Sequence, residues 1–281
     1  MHRILIFNLG GTSTKLAVFD EETLVVEGTI RHTDREIQGC TDNAEQIAFR
    51  RGAIEAWLLE NHISLDDLSA VVIRSSGAGL CKKGGTYLVT GKLRDGMYAA
   101  YRSSFPKAPH PSFIVLPLAD EILGSRPVPI YIVDPDGVDE FQDVAYITGH
   151  PDLPRSSGFH VLNHKAIARK ASRDLGKRYE DADLVVAHMG GGISIAAHRH
   201  GLVVDSTSGG SAGEGPFGTN RTGPLPLNKL VDRCFSGAYT KSEIMDLIMT
   251  QGGFLAHTGC TDLRIIEQKA ADGDAHCDLI I

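Results

Sequence analysis

A glycine turn between apolar strands occurs twice in this chain at a fixed offset, and that duplication restricts the folds open to it. "ILIFNLGGTSTKLAVFDEETLVV" spans positions 4–26, and "LVVAHMGGGISIAAHRHGLVVD" spans 184–205. Each reads as an apolar strand, a Gly-Gly turn, a second strand, a short polar turn and a third strand. Asn8 aligns with His188, and Gly10-Gly11 with Gly190-Gly191, in both cases 180 positions apart. A repeat at that separation implies duplicated domains rather than a short-period solenoid. A chain of 281 residues is long enough for two cores.

The rest of the chain fits α/β units. Strands are expected at 4–8, 15–19 and 24–30. A helix capped by Asp42 follows over 43–61, with Ile47, Ile54, Trp57 and Leu58 near helical spacing. "AVVI" (Ala70–Ile73) and "VPIYIVD" (128–134) read as strands, and "PSFIVLPLADEILG" as helical in its second half up to Gly124. Helices are expected near 159–175, 240–250 and 262–272. "GHPDLPRSSG" (149–158) is rich in Pro, Gly and Ser and sets a boundary near 150, hence domains 1–150 and 151–281. Three antiparallel strands feeding α/β units give mixed sheets covered by helices.

A net charge of −7 argues against nucleic acid or an anionic membrane as partner, though not against a phosphate met by local donors. Five scattered cysteines, none in a Cys-x-x-Cys pair, read as reduced thiols of a cytoplasmic protein. No apolar run approaches the roughly 18 residues of a membrane span.

A glycine turn can simply supply a positive φ to a hairpin. It can also let backbone N–H groups close on phosphate oxygens. Two copies in matching places favour the second use: two loops gripping one phosphate chain across a cleft. Thr12, Ser13, Thr14, Ser194, Lys15 and His188 are suitable neighbours for phosphate or Mg²⁺-bound water. Two other patterns weigh less. "GEGPFG" (213–218) satisfies G-x-G-x-x-G but contains Pro216 and opens no helix, so a dinucleotide fingerprint is rejected. His160 and His164 have a metal-ligand spacing without a third ligand, so zinc is disfavoured.

"IFNLGGTSTKLAVFD", "HMGGGIS" and "STSGGSAGEGPFGTNRTGPLP", with "GGTY" (84–87), "IVDP" (132–135), "GFHVLNHKAIAR" (158–169) and "CFSGAYTKSEI" (234–244), run in an order that resembles the acetate kinase family of the sugar kinase–Hsp70–actin superfold. The Glu-Gly-Pro-Phe element at 214–217 is similar to its butyrate kinase branch. The resemblance implies duplicated RNase H-like (actin-like ATPase) domains with mixed β-sheets and an interdomain cleft. It implies a kinase that moves the γ-phosphoryl of ATP to a short-chain carboxylate with Mg²⁺, working as a homo-oligomer without nucleic acid or membrane.

Site residues follow from the same resemblance. Arg74 and Arg221 match the two active-site arginines. Asp134 matches a catalytic acid near the metal, and His160 and His110 match histidines that stabilise the transferring phosphoryl group. Asn8 matches the magnesium-site asparagine. Gly10, Gly11, Ser13, Lys15, His188, Gly190, Gly191 and Gly192 match the phosphate loops, and Asp262 and Arg264 match a nucleotide-contacting pair. From the residues alone, each arginine also reads as a salt-bridged surface group, Asp134 as a turn residue before Pro135, and Asp262 as a helix N-cap with Arg264 exposed.

Departures accompany the match. Gly11 stands where relatives carry serine, and "RSSGAGL" replaces a more glycine-rich stretch. In the family, a further helix, a glycine-rich adenosine-binding turn, a metal-site glutamate and a closing helix follow the point where "GDAHCDLII" ends. The expectation is therefore a truncated chain whose last four residues open a helix. The alternative to an active kinase is an impaired relative that binds phosphate ligands or a partner chain. A sugar kinase or chaperone-type ATPase fits the paired arginines less well.

Overall fold

The computed structural model describes residues 1–40, 42–103, 111–207 and 213–281. The chain divides into two compact units, Met1–Val138 and Asp139–Ile281. The division falls ahead of the expected position near 150 because the intervening segment is bonded into the second unit. Gln142 N–H donates to the Val204 carbonyl at 3.0 Å, and Arg155 donates to the Ala145 carbonyl at 2.8 Å and the Ser206 carbonyl at 2.6 Å.

In the first unit, β1 (Arg3–Leu9), β2 (Ser13–Asp20) and β3 (Thr23–Arg31) form an antiparallel meander, followed by α1 (Asp34–Gly39) and α2 (Asn43–Glu60). Next come β4 (Ala70–Ile73), β5 (Thr86–Leu88), α3 (Gly91–Ser103), α4 (Pro111–Leu123) and β6 (Ile130–Val133). The six strands lie in the order β3-β2-β1-β4-β6-β5, with β4 parallel to both β1 and β6. The period-2 pattern of β1 places Leu5, Phe7 and Leu9 in the core with Leu16 and Val18, against Ile47 and Ile54 of α2 and Ile114 and Leu118 of α4. Asp42 caps α2 as expected, accepting the Glu45 N–H at 2.9 Å. Gly28 admits that helix to the sheet: a Cβ there would lie 2.3 Å from Trp57 Nε1. The α4 helix starts at Pro111, earlier than expected, and continues through Pro117. Its residues 114–119 are all buried, and that burial outweighs the one backbone bond lost at Pro117.

The second unit opens with α5 (Val161–Asp174) and a three-stranded antiparallel sheet of β7 (Leu184–Met189), β8 (Ile193–Arg199) and β9 (Leu202–Ser206). Short helices follow: α6 (Leu227–Cys234), α7 (Lys241–Met249), α8 (Gly253–Thr258), α9 (Leu263–Ala271) and α10 (Ala275–Ile280). The last begins three residues before the expected helix opening, because Asp274 caps it by accepting the His276 and Cys277 N–H groups, both at 3.0 Å.

The duplication is real but not uniform. Thr14, Leu16 and Val18 of β2 and Ser194, Ala196 and His198 of β8 keep the 180-residue offset, and all six are buried. Glu21 and Gly201 match as well, with φ of 55° and 74° in the second turn. The first strands do not match. Leu9 pairs with Thr14 across four loop residues, whereas Met189 pairs with Ile193 across three. One residue fewer turns the strand over. Asn8 therefore lies opposite exposed Lys15, while His188 lies opposite buried Ser194. The alignment of Asn8 with His188 holds in sequence and fails in register.

Candidate active site

In the first unit the β1–β2 turn closes with Gly10 N–H donating to the Ser13 carbonyl at 2.8 Å. None of Gly10, Gly11, Gly190, Gly191 and Gly192 has a positive φ, so the hairpin reading of these glycines fails. Gly10, Gly190 and Gly191 are small for a different reason, which is close approach. A Cβ on Gly10 would meet Ser13 Oγ at 2.9 Å, and one on Gly191 would meet Asn220 Oδ1 at 3.1 Å. At Gly11 nothing lies within 4 Å of that position, so a side chain there would meet open space.

Beneath this turn lies a residue that sequence reading missed. Arg50 of α2 is fully buried and donates from Nη2 to the Gly10 and Gly11 carbonyls, both at 2.9 Å. Its Nη1 donates to the Ser13 carbonyl at 3.0 Å and the Thr14 hydroxyl at 2.9 Å. The Gly10, Gly11 and Ser13 carbonyls are thus drawn inward onto Arg50, while the Gly10 N–H is taken up within the turn by Ser13. Burial lowers the Arg50 pKa to about 10, which leaves it charged at neutral pH. Only helical periodicity covered this position, and it gives no cue that a cation is buried. Thr14 was expected to face phosphate; instead its fully buried hydroxyl meets Arg50 and His32 Nε2 at 2.9 Å each.

Asn8 and Lys15 are cross-strand partners and line a cavity of about 580 Å³ with Glu27 and Thr29. Arg74 follows β4, held by its N–H on the Phe7 carbonyl at 2.9 Å, and its Nη2 lies 3.6 Å from Asp136 Oδ2. Asp134 directly follows β6 and is fully buried, with φ 42°, a strained conformation for a residue bearing a Cβ. Its Oδ1 accepts the Gly85 N–H at 2.8 Å and its own N–H donates to the Gly85 carbonyl at 2.9 Å, so "GGTY" is the clamp on Asp134. His110 lies outside the described residues.

In the second unit, His160 stands at the N-terminal boundary of α5 without a side-chain capping bond and stacks on His188 of β7, with ring centroids 3.8 Å apart. His164 and His160 converge on the Ser194 hydroxyl at 2.8 Å and 2.9 Å. Ser194 is thus buried under the turn, not aimed at a phosphate as expected. The loop carrying Arg221 is locked to the second glycine turn. Thr219 N–H donates to the Gly190 carbonyl at 3.4 Å, and a Cβ on Gly218 would meet the Gly191 carbonyl at 2.3 Å. From the other side, Phe254 and Leu255 N–H donate to the Gly218 and Thr219 carbonyls at 3.1 Å and 2.9 Å.

Glu214, the first residue of the butyrate-like Glu-Gly-Pro-Phe element, takes a bidentate ion pair from Arg155, both bonds 2.9 Å. Arg155 also meets Asp205 Oδ1 at 2.9 Å, and these carboxylates raise its pKa well above the usual arginine value. Asp262 is the N-cap of α9, accepting the Arg264 N–H at 3.1 Å and ion-pairing with the exposed Arg264 guanidinium at 2.6 Å. That is the capping geometry that the sequence left open.

Among the described residues no helix is long and apolar enough to cross a membrane. Two α/β units, each containing a three-strand meander around a glycine turn, define the actin-like ATPase fold class. The fold is similar to that of Porphyromonas gingivalis acetate kinase, with a TM-score of 0.75 and 18% identity, covering 100% of this chain and 76% of that one. Residues 150–281 match the model of the acetokinase family. The chain is 40% identical to butyrate kinase 1 of Clostridium acetobutylicum over 282 residues, covering 100% of this chain and 77% of that protein. It is 39% identical to a probable butyrate kinase of Clostridium botulinum, covering 99% and 77%. The chain belongs to the acetokinase family, a family of carboxylate phosphotransferases.

Proposed function

We propose that this chain transfers the γ-phosphoryl of ATP to a short-chain fatty acid, giving an acyl phosphate and ADP, with butanoate as the model acceptor. A simple carboxylic acid titrates near the glutamate value of about 4.3, so the nucleophile is already ionised at neutral pH and no general base is required. The obstacle is charge: an anion must approach a polyanion. The protein's contribution is therefore positive charge, N–H donors and alignment.

Each unit contains such groups. In the first, the Gly10-Gly11 turn, Ser13 and Lys15 hold phosphate oxygens, and Arg74 neutralises charge. In the second, Arg221, His160, His188 and the turn at 190–192 meet the phosphoryl group, and Asp262 with Arg264 serves the nucleotide. Asn8 lines a polar cavity with one amide oxygen. That suits Mg²⁺, which keeps most of its shell as phosphate oxygens and water. Asn8 would hold the ion, which supplies charge neutralisation when bound. Asp134, buried and clamped, positions rather than abstracts protons. The observation that carries the reading is the bonding of the Arg221 loop onto the second glycine turn, which ties a guanidinium-bearing loop to a phosphate loop.

A hydroxamate assay with ATP–Mg²⁺ across acetate, propionate, butanoate and longer acids tests it. The expected kcat/KM is highest for a four- or five-carbon acid, since each methylene in an apolar pocket is worth roughly 1–3 kcal/mol. A maximum at acetate overturns the acceptor; no acyl phosphate from any acid overturns the reaction.

A further inference from the structure

His160 and His188 lie face to face, 3.8 Å between centroids and 13° between planes. Two imidazolium charges at that separation would repel, so at least one ring stays neutral. A neutral imidazole has one N–H, and its position decides whether the far edge donates or accepts.

For His188 the position is set. Asn163 Nδ2, an amide nitrogen that only donates, lies 2.6 Å from His188 Nδ1. Nδ1 accepts, and the His188 proton sits on Nε2.

For His160 the position is set indirectly. Its Nδ1 lies 2.9 Å from Ser194 Oγ, and the same oxygen lies 2.8 Å from His164 Nε2. The His160 backbone N–H also donates to that oxygen, at 3.5 Å. A hydroxyl has one proton, so it donates to only one of the two rings. His164 is fully buried and kept neutral by burial, with His198 and His188 adding to the effect. Its Nδ1 has no hydrogen-bond partner. If Ser194 donated to His164 Nε2, the His164 proton would sit on Nδ1 as a buried orphan N–H. If His164 Nε2–H donates to Ser194, the orphan is only a lone pair. Buried orphan N–H groups are the rarer of the two. Ser194 therefore donates to His160 Nδ1.

We propose that Ser194 and His164 are positioning residues that lock His160 in its Nε2–H form, so that His160 and His188 offer two uncharged N–H donors to the oxygens of the transferring phosphoryl group. What the donors meet rests on the phosphoryl-transfer reading above; the tautomers do not. Donors fixed before the reaction need no reorientation as charge develops, the condition under which such groups contribute most.

Long-range ¹H–¹⁵N correlation of the histidine ring nitrogens in the full chain, assigned with His160→Gln, tests the lock directly. The expected pattern at neutral pH is Nε2–H for His160, His164 and His188. A His160 proton on Nδ1 overturns it. Ser194→Ala is expected to give a mixture of His160 tautomers, leave His188 unchanged and lower kcat about tenfold, the lower end of the effect of such outer partners, with little change in KM for ATP. Ser194→Thr returns the hydroxyl and is expected to restore both the spectrum and kcat. A His160 spectrum indifferent to Ser194→Ala overturns the proposal. If the wild-type pattern is found in a chain that forms no acyl phosphate, the tautomer lock stands and the functional reading falls.

Discussion

Arg50 and Thr14 meet beneath the first glycine turn, Nη1 to Oγ1 at 2.9 Å, and neither side chain is reached by water. Ser194 occupies the place of Thr14 in the second unit and likewise takes two side chains. Each glycine turn therefore rests on a buried hydroxyl braced from a neighbouring helix or loop. In the first unit the brace is a cation.

Arg50→Met is expected to destabilise the fold by about 2–4 kcal/mol, because the Gly10 and Gly11 carbonyls lose their shared Nη2 donor, the Ser13 carbonyl loses its Nη1 donor, and each unmet buried group costs about 1–3 kcal/mol. Arg50→Lys keeps the charge but cannot span both carbonyls with a planar fork. It should melt closer to wild type and still show a raised KM for ATP. Thermal melts and steady-state kinetics check this; a lysine variant with wild-type KM would show that the carbonyl clamp does not shape the loop.

The strand–turn–strand repeat, the α2 cap and the strand ends at Arg74 and Asp134 were legible in the sequence because period and capping chemistry are local. The buried fates of Thr14 and Ser194 were not. A hydroxyl beside a glycine turn looks the same whether it faces a ligand or a buried arginine thirty-six positions away. The register difference was hidden for a related reason. Loop lengths of four and three residues leave the glycines aligned in sequence, and only strand pairing shows which face Asn8 and His188 occupy.

Glu214, the first residue of the butyrate-like Glu-Gly-Pro-Phe element, takes a bidentate ion pair from Arg155. Glu214→Ala should cost about 1–3 kcal/mol through loss of a charge-assisted, partly buried pair. Arg155 keeps Asp205 and two carbonyls, so the unit should still fold. The loop that carries Arg221 then loses one anchor, and KM for the carboxylate should rise more than KM for ATP. Equal changes in both constants would show that the pair has no bearing on acceptor binding.

Acid should weaken the second unit in a defined window. Burial pushes His164 and His198 down to about 4, His164 further through its histidine neighbours and His198 through Lys165. Between about 6.5 and 4 the unfolded chain binds protons that the native chain refuses. Stability is therefore full above 6.5 and falls as pH drops through that range. With one pKa unit worth about 1.4 kcal/mol, the two groups together amount to several kcal/mol. His198→Gln should flatten the dependence of Tm on pH between 4.5 and 6.5 by about half, as one of the two groups is removed. An unchanged slope would assign the acid sensitivity to other groups.

Arg221 gives the sharpest separation of chemistry from folding. Its loop is held by backbone bonds that do not involve its side chain. Gly218 N–H donates to the Arg221 carbonyl at 3.0 Å, Thr222 N–H to the Ile248 carbonyl at 3.1 Å and Gly252 N–H to the Asn220 carbonyl at 3.0 Å. Gly253, at φ 61°, admits the loop, since a Cβ there would lie 2.0 Å from the Gly218 carbonyl oxygen. Truncating the Arg221 side chain leaves this frame intact, so Arg221→Ala should melt within a few degrees of wild type. Its kcat should fall by about 10³-fold, the scale of a guanidinium that neutralises a transferring phosphoryl group. Arg221→Lys retains a point charge without the bidentate fork and should fall between the two. Arg74→Ala is the companion test: its 3.6 Å contact with Asp136 is partly exposed and contributes at most about 1 kcal/mol, so stability should hardly change while turnover drops. Single-turnover kinetics with ATP–Mg²⁺ and butanoate, run beside thermal melts, give both readouts from one preparation. Near wild-type turnover in a folded Arg221→Ala protein would remove this residue from the reaction.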